Sequence, residues 1–550
     1  MKFRTLLLII TIGALLRFVK ITTTPPSLNW DEISHGYTAY SILHTGKDEW
    51  GAVPFGNFRA YGDYPTTAYM YLNIPFIWAF GLNELSVRLP SAVFGTLTLI
   101  PVYFLGLRMG KTISNIGARS LGLLSAFLLA TSPWHILQSR AAFQSTIAIF
   151  TVTSGFALFI NRHWHKSFFP LSMLFFILSL FSYHNARIFS PILLFVLFLA
   201  NYHEFFGRQK IKSTIFWLTS FASILLLIVF SSNVTARSKW VGILDEGAIN
   251  KINFDRGSSK LKGFPARLIH NKITYLGAQT LLNYLGYFSP RYLFINGGTQ
   301  YQYSIPGLGL MHLIEMPFFY LGLLSLLSKR KTQREVLLAL LIAPIPAAVT
   351  QGGAHVIRSS LMLPFVQLAS AVGFLWASEI ISLKLNSNLK PILLAIFVLA
   401  CVLSLEKYTL KLFTSYKTDY SWAWQYGYKE VVNFVKNHPE YQTVIVTKKY
   451  GEPHEYFLFY LGFNPLKFQN DPNLIRYFQS NWYWVDRFDK YWFLNDWQIK
   501  DLITEKGIHV MIKKPAVMFS SPNNFPQGWK KIDRINFLDG SPSFEILIQE

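Results

Sequence analysis

Leu6-Leu7-Leu8-Ile9-Ile10-Thr11-Ile12-Gly13-Ala14-Leu15-Leu16 opens the chain as an uninterrupted apolar run. Lys2 and Arg4 precede it, and Asn29-Trp30-Asp31-Glu32 follows about a dozen residues later. Runs of the same kind recur, among them Ile215–Phe230 and Pro391–Leu403. Only 15% of the 550 residues are charged and 51% are hydrophobic, whereas a soluble domain carries about a quarter charged residues. The class is a polytopic α-helical membrane protein.

Eleven spans are expected, at about 5–19, 86–107, 120–136, 142–160, 167–183, 188–206, 213–231, 308–328, 335–349, 359–381 and 389–407. Five loops on one side are basic: Arg108/Lys111/Arg119, Arg162/Lys166, Arg208/Lys210/Lys212, Lys329/Arg330/Lys331/Arg334 and Lys384/Lys390. All five fall on the side of Lys2 and Arg4, the pattern of a cytoplasmic N-terminus. No small-residue cleavage site follows the first run, so it reads as a retained span in a multi-pass plasma-membrane protein. Two long loops then lie outside, at about 20–85 and 232–305, and Thr66–Phe80, interrupted by Asn73 and Pro75, reads as an interfacial helix.

The net charge of +22 does not mark a nucleic-acid binder. After residue 410 the chain holds 17 basic and 15 acidic residues, so the excess sits in the membrane part. Residues 410–550 read as a small extracytoplasmic α/β domain and residues 1–409 as the membrane domain. Expected in the tail are helices over Tyr428–Asn437, Glu455–Leu461 and Gln498–Lys506, and strands over Thr443–Thr447, His509–Ile512 and Phe544–Ile548. The lone Cys401 permits no disulfide within the chain, and no Walker-type loop is present.

Acids are scarce, 29 in all, and two stand together in the first outer loop. A carboxylate near the low-dielectric boundary suits a general base, with Asp31 and Glu32 as the pair. The same two would also cap a helix over Ile33–Leu43. At outer ends of spans stand Arg88, Arg140, Arg187 and Arg358, where a guanidinium needs an anionic partner; a lipid phosphate fits its donor fork, as do loop acids. Tyr37, Asp63, His184, Lys272 and His355 are candidate substrate contacts, with Arg291 and Tyr292 as weaker ones. His312 and Glu315 could share a helix face, and a divalent cation shared with the acidic pair is left open. Trp482, Tyr483, Trp484 and Trp492 either stack on sugar or fill the core of the tail.

The layout resembles the GT-C superfamily of membrane glycosyltransferases, in particular glycosyltransferase family 39, protein mannosyltransferases and the aminoarabinose transferases. Asp31-Glu32 matches their first-loop acidic motif, Arg88-Leu89-Pro90-Ser91-Ala92 with Phe94-Gly95 matches the start of their second span, and Ser132-Pro133 with Arg140 resembles their second outer loop. Asp63-Tyr64-Pro65 stands where the family carries His-Pro-Pro. The resemblance covers about residues 1–405. It implies transfer of one sugar from a polyprenyl-phosphate donor to an extracytoplasmic protein, lipid or glycan acceptor, with Asp31 as base, Glu32 orienting the acceptor or a cation, the four arginines on the donor phosphate, and inversion at the anomeric carbon. Transfer of a whole lipid-linked glycan, or lipid or sugar transport, are the alternative readings.

Overall fold

The computed structural model describes residues 2–62, 64–113, 117–207, 210–230, 242–327, 330–386 and 388–550. Asp63, Arg208, Lys329 and the start of the second long loop lie outside the described residues. Helices stand at all eleven segments where apolar runs occur, from α1 (Lys2–Phe18) to Leu389–Phe413. Among the described residues, four are individually long and apolar enough to cross a membrane: Glu84–Gly110, Ile211–Val229, Ser360–Lys384 and Leu389–Asp419. Ala118–Thr131 and Pro133–Arg140, bent by 56° at Ser132, make a fifth if counted as one span. The rest are shorter, so helix length alone does not give eleven crossings. The chain is a helical membrane protein.

The contacts divide it into two compact units. The first comprises Met1–Arg17, Phe94–Ser139 and Gln144–Tyr408. Its helices pack where small residues let backbones meet. A Cβ on Gly322 would lie 1.9 Å from the Ala369 carbonyl oxygen, and one on Gly373 would lie 1.8 Å from that of Phe318. The helices Met316–Leu326 and Phe365–Lys384 therefore touch along their backbones. Cys401 is buried in this core.

The second unit comprises Phe18–Val93, Arg140–Phe143 and Thr409–Glu550. The tail thus shares one packed body with the first long loop. Its centre is a seven-stranded sheet of order β2-β3-β4-β1-β5-β7-β6. The strands are β1 (Thr443–Thr447), β2 (Ile475–Gln479), β3 (Trp482–Phe488), β4 (Tyr491–Leu494), β5 (Ala516–Ser520), β6 (Lys530–Asn536) and β7 (Pro542–Gln549). β1 runs parallel to both neighbours and is buried throughout, as its β-branched Thr-Val-Ile-Val-Thr dictates. The helices Tyr428–Asn437 and Pro453–Leu461 form as the sequence implies. The expected helix over Gln498–Lys506 shrinks to Asp496–Ile499. His509–Ile512 is no strand: it makes one isolated bridge, His509 to Ile503, and Met511 is exposed.

From the first loop come α2 (Trp30–Thr45), α3 (Ala68–Phe80) and the start of α4 (Glu84–Leu97). α3 realises the helix expected over Thr66–Phe80, with Trp78 exposed.

Candidate active site

The acidic pair lies in the first turn of a helix, not in an irregular loop. Asn29 is the N-cap: its side chain accepts from the Glu32 N–H at 3.0 Å, and Glu32 Oε2 accepts from the Asn29 N–H at 3.0 Å. This reciprocal box satisfies two of the four amide donors that a helix start leaves open. Successive helical side chains point about 100° apart, and the two acids part accordingly. Glu32 is fully buried; Asp31 is partly exposed.

Glu32 meets Arg88, also fully buried, in an ion pair of 2.8 Å. Arg88 spends all five of its N–H donors within the protein. Nε and one Nη2 hydrogen go to Glu32, two from Nη1 go to the carbonyls of Ile21 and Pro25, and the last goes to Ser27. Glu32 Oε1 accepts in addition from the Ala142 N–H at 2.9 Å. Arg140, buried one short turn away in sequence, donates to the carbonyls of Thr24 and Val19. The two guanidiniums thus hold the backbone of residues 19–27, the turn that delivers the chain into α2. Glu32 is filled with donors and is not open to an acceptor or a cation.

Asp31 keeps a different company. Its Oδ1 accepts from the Tyr61 hydroxyl. The Tyr61 ring stacks on Trp482 of β3 at 5.2 Å and 29°, and the Trp482 indole N–H donates to Glu452. Trp30 leans toward the Tyr61 ring at 6.4 Å. Gly62 is required here, because a Cβ would lie 2.0 Å from the Trp482 ring. The tail therefore supplies one wall beside the carboxylate. Trp482, expected either to stack on sugar or to fill the core of the tail, stacks instead on Tyr61 of the first long loop, and Tyr61 is the member of this site that the sequence did not mark.

The other candidates are dispersed. Tyr37 is buried and donates to the Phe463 carbonyl at 3.0 Å, a tie between α2 and the tail. His184, Arg187, His355 and Arg358 belong to the first unit. There Asn185 donates to the Arg358 carbonyl, joining the two short stretches. Arg187 is buried, with Nε on the Leu180 carbonyl and Nη1 3.4 Å from His184 Nδ1. Arg358 is half-buried, with Nη1 on Thr350 and the Gln351 carbonyl. The His355 N–H donates to Tyr287. Tyr292 is buried against Ser359, while Lys272 and Arg291 are exposed. At the start of the 3-10 turn Leu313–Glu315 the His312 N–H donates to Glu315 Oε1 at 3.2 Å, and the two His312 ring nitrogens meet Ser404 and Thr131 at 3.0 and 3.1 Å. Both ring nitrogens are thereby used. Among the described residues no three His, Cys, Asp or Glu side chains gather as a metal site.

Next to the Trp482 wall lies a buried acidic cluster. Burial pushes Glu49 up to about 7, with Arg476 opposing and Asp48 adding, and pushes Glu452 to about 7. Glu455, buried and facing Glu49 and Glu452, is raised well above the carboxylate range. After burial, the charge of Glu49 is the largest influence raising Glu455. Carboxyls raised in this way hold protons the unfolded chain has released, so their contribution is full below about pH 4.5 and is lost as pH rises through 7. Buried His35, lowered to about 4, and His454, lowered well below 6.5, act oppositely up to pH 6.5. Above 6.5 only the carboxyl effect remains. The melting temperature is expected to fall between pH 6.5 and 8, and Glu49→Gln to flatten that slope. A rise over this interval, or an unchanged slope in the variant, contradicts the assignment.

The architecture is the GT-C fold. No family profile and no curated protein sequence matches the chain, but solved structures do. ArnT from Cupriavidus metallidurans, bound to undecaprenyl phosphate, is 11% identical with a TM-score of 0.51, the match covering 98% of this chain and 97% of that one. The archaeal oligosaccharyltransferase AglB from Archaeoglobus fulgidus, in complex with an inhibitory peptide and a dolichol-phosphate, is 15% identical with a TM-score of 0.51, over 83% of this chain and 63% of AglB. The matched region is thus less than two thirds of AglB. At these identities the likeness is one of fold.

Proposed function

We propose that this chain is a membrane glycosyltransferase that moves a single sugar from a polyprenyl-phosphate donor to an extracytoplasmic acceptor, with inversion. The observation that carries the reading is Asp31: a partly exposed carboxylate, fixed at a capped helix start by Tyr61, on a fold shared over nearly full length with a protein that binds undecaprenyl phosphate.

Asp31 takes the proton of the acceptor hydroxyl as its oxygen attacks the anomeric carbon. The bond from that carbon to the phosphate oxygen breaks, and its electron pair leaves with the phosphate. Phosphate departs as a stable anion, so no general acid is required, unlike glycoside hydrolysis. What the reaction needs is a base and cations for the developing charge. Glu32, Arg88 and Arg140 serve as positioning residues, because their polar atoms hold the turn before α2. Of the four arginines expected on the donor phosphate, Arg358 is half-buried and Arg88, Arg140 and Arg187 are buried. The first long loop and the tail lie outside the cytoplasm, as the basic loops imply.

The test is mass spectrometry of envelope glycans from cells with and without the gene. Loss of one terminal sugar from one glycan class is expected. An unchanged glycan profile contradicts the function, and loss of an entire oligosaccharide favours transfer of a preassembled glycan.

A further inference from the structure

The second long loop carries a surface that the proposed transfer does not use. Within the first unit it folds into the helices Glu246–Ser258, Phe264–Ile269 and Lys272–Gly286. The last of these is anchored at its far end, where Asn283 donates to the carbonyls of Ala348 and Thr350 and Tyr284 donates to that of Leu341. The near end is held in shape by Arg256, whose guanidinium donates twice to the His270 carbonyl, and by the Asn271 cap of Lys272–Gly286.

That near end exposes large apolar side chains in series. Phe254 is 73% exposed, Phe264 75%, Leu268 61% and Ile273 82%. Interleaved with them between 254 and 273 are Arg256, Lys260, Lys262, Arg267 and Lys272, against the single acid Asp255. Among the described residues, Lys260, Lys262, Arg267 and Lys272 are exposed and make no ion pair. Apolar side chains so exposed are unfavourable in water. Basic side chains alternating with them are the composition of a segment lying in a headgroup layer, with the apolar atoms in acyl chains and the cations on lipid phosphates. Long basic side chains accommodate this by reaching out to the polar layer.

We propose that residues 254–273 dip into the bilayer surface and bind anionic phospholipid, with Phe264, Leu268 and Ile273 in the acyl region and Lys260, Lys262, Arg267 and Lys272 on headgroup phosphates. The arm is a lipid-contact site separate from Asp31 and independent of the proposed chemistry. The charge excess selects an anionic lipid over a neutral one.

The experiment places a nitroxide at Phe264→Cys in a Cys401→Ser background of the full-length protein, in nanodiscs of phosphatidylcholine with or without phosphatidylglycerol. Oxygen and a water-soluble nickel chelate serve as relaxing agents. Phe478→Cys, on β2 and also apolar and exposed, is the comparison site. At 264, oxygen access is expected to exceed nickel access severalfold in phosphatidylglycerol discs, and less so in phosphatidylcholine alone. The K260Q/K262Q/R267Q/K272Q variant is expected to abolish the difference between the two lipids. Nickel access at 264 equal to that at 478 overturns the proposal, as does protection from both agents, which means a protein covers the patch. An unchanged lipid dependence in the quadruple variant overturns the headgroup assignment.

Discussion

Asp31→Asn is expected to lower the rate of sugar transfer by about 10²–10⁴-fold, the usual contribution of a positioned general base, with little change in folding. The substitution is isosteric and keeps an oxygen that can accept from Tyr61. It removes one negative charge from the first turn of α2, where a carboxylate contributes about 0.3–1 kcal/mol through the helix dipole. The capping box is untouched because it belongs to Asn29 and Glu32. Binding of a polyprenyl phosphate is expected to persist, since Asp31 acts on the acceptor side of the reaction. Transfer assays with lipid-linked radiolabelled sugar, run beside a thermal melt, separate the two effects. Near-normal turnover in a folded Asp31→Asn protein removes Asp31 as the base.

Arg88→Ala is the converse case, a large loss of stability with activity lost as a consequence. It strands a fully buried Glu32 carboxylate and three buried carbonyls, of Ile21, Pro25 and Ser27. Removing one partner of a buried pair costs about 3–5 kcal/mol, a large fraction of the 5–15 kcal/mol that holds a typical domain together. The expected result is poor recovery of folded protein, or a melting temperature lower by several degrees. Arg88→Lys is expected to rescue little, because an ammonium offers three donors where five are used. A melt indistinguishable from wild type in Arg88→Ala would show that the guanidinium is not the tie it looks to be, and would return it to the list of phosphate ligands.

Those two residues illustrate what a sequence can and cannot show. The rule that a guanidinium at a span end needs an anion applied to Arg88, but the anion is Glu32, 56 residues earlier in the same chain. The spacing Asn29-x-x-Glu32 is a capping signature legible on its own, and it separates the roles of the two adjacent acids. The wall of the site was not legible in this way, because Tyr61 and Trp482 meet across 421 residues and no local pattern announces it. The hairpin carrying Trp482 did leave a trace: Ser480 and Asn481 both adopt positive φ, 51° and 62°, between two aromatic-rich strands, the geometry of a two-residue turn. His509–Ile512 failed for a different reason. Its alternation suits a strand, but no partner strand lies alongside it. Each of the eleven apolar runs falls on a described helix, while the number of complete crossings depends on helix length and bends such as that at Ser132.

The most direct measurement is the anomeric configuration of the transferred sugar, made with purified full-length protein, a polyprenyl-phosphate-linked sugar and an acceptor extract, with polyprenyl phosphate release followed in parallel. Direct attack by an acceptor activated at Asp31 is expected to give the inverted anomer, with one polyprenyl phosphate released per sugar transferred. A product of retained configuration, or transfer that proceeds only from a nucleotide sugar while the lipid-linked donor stays intact, contradicts it.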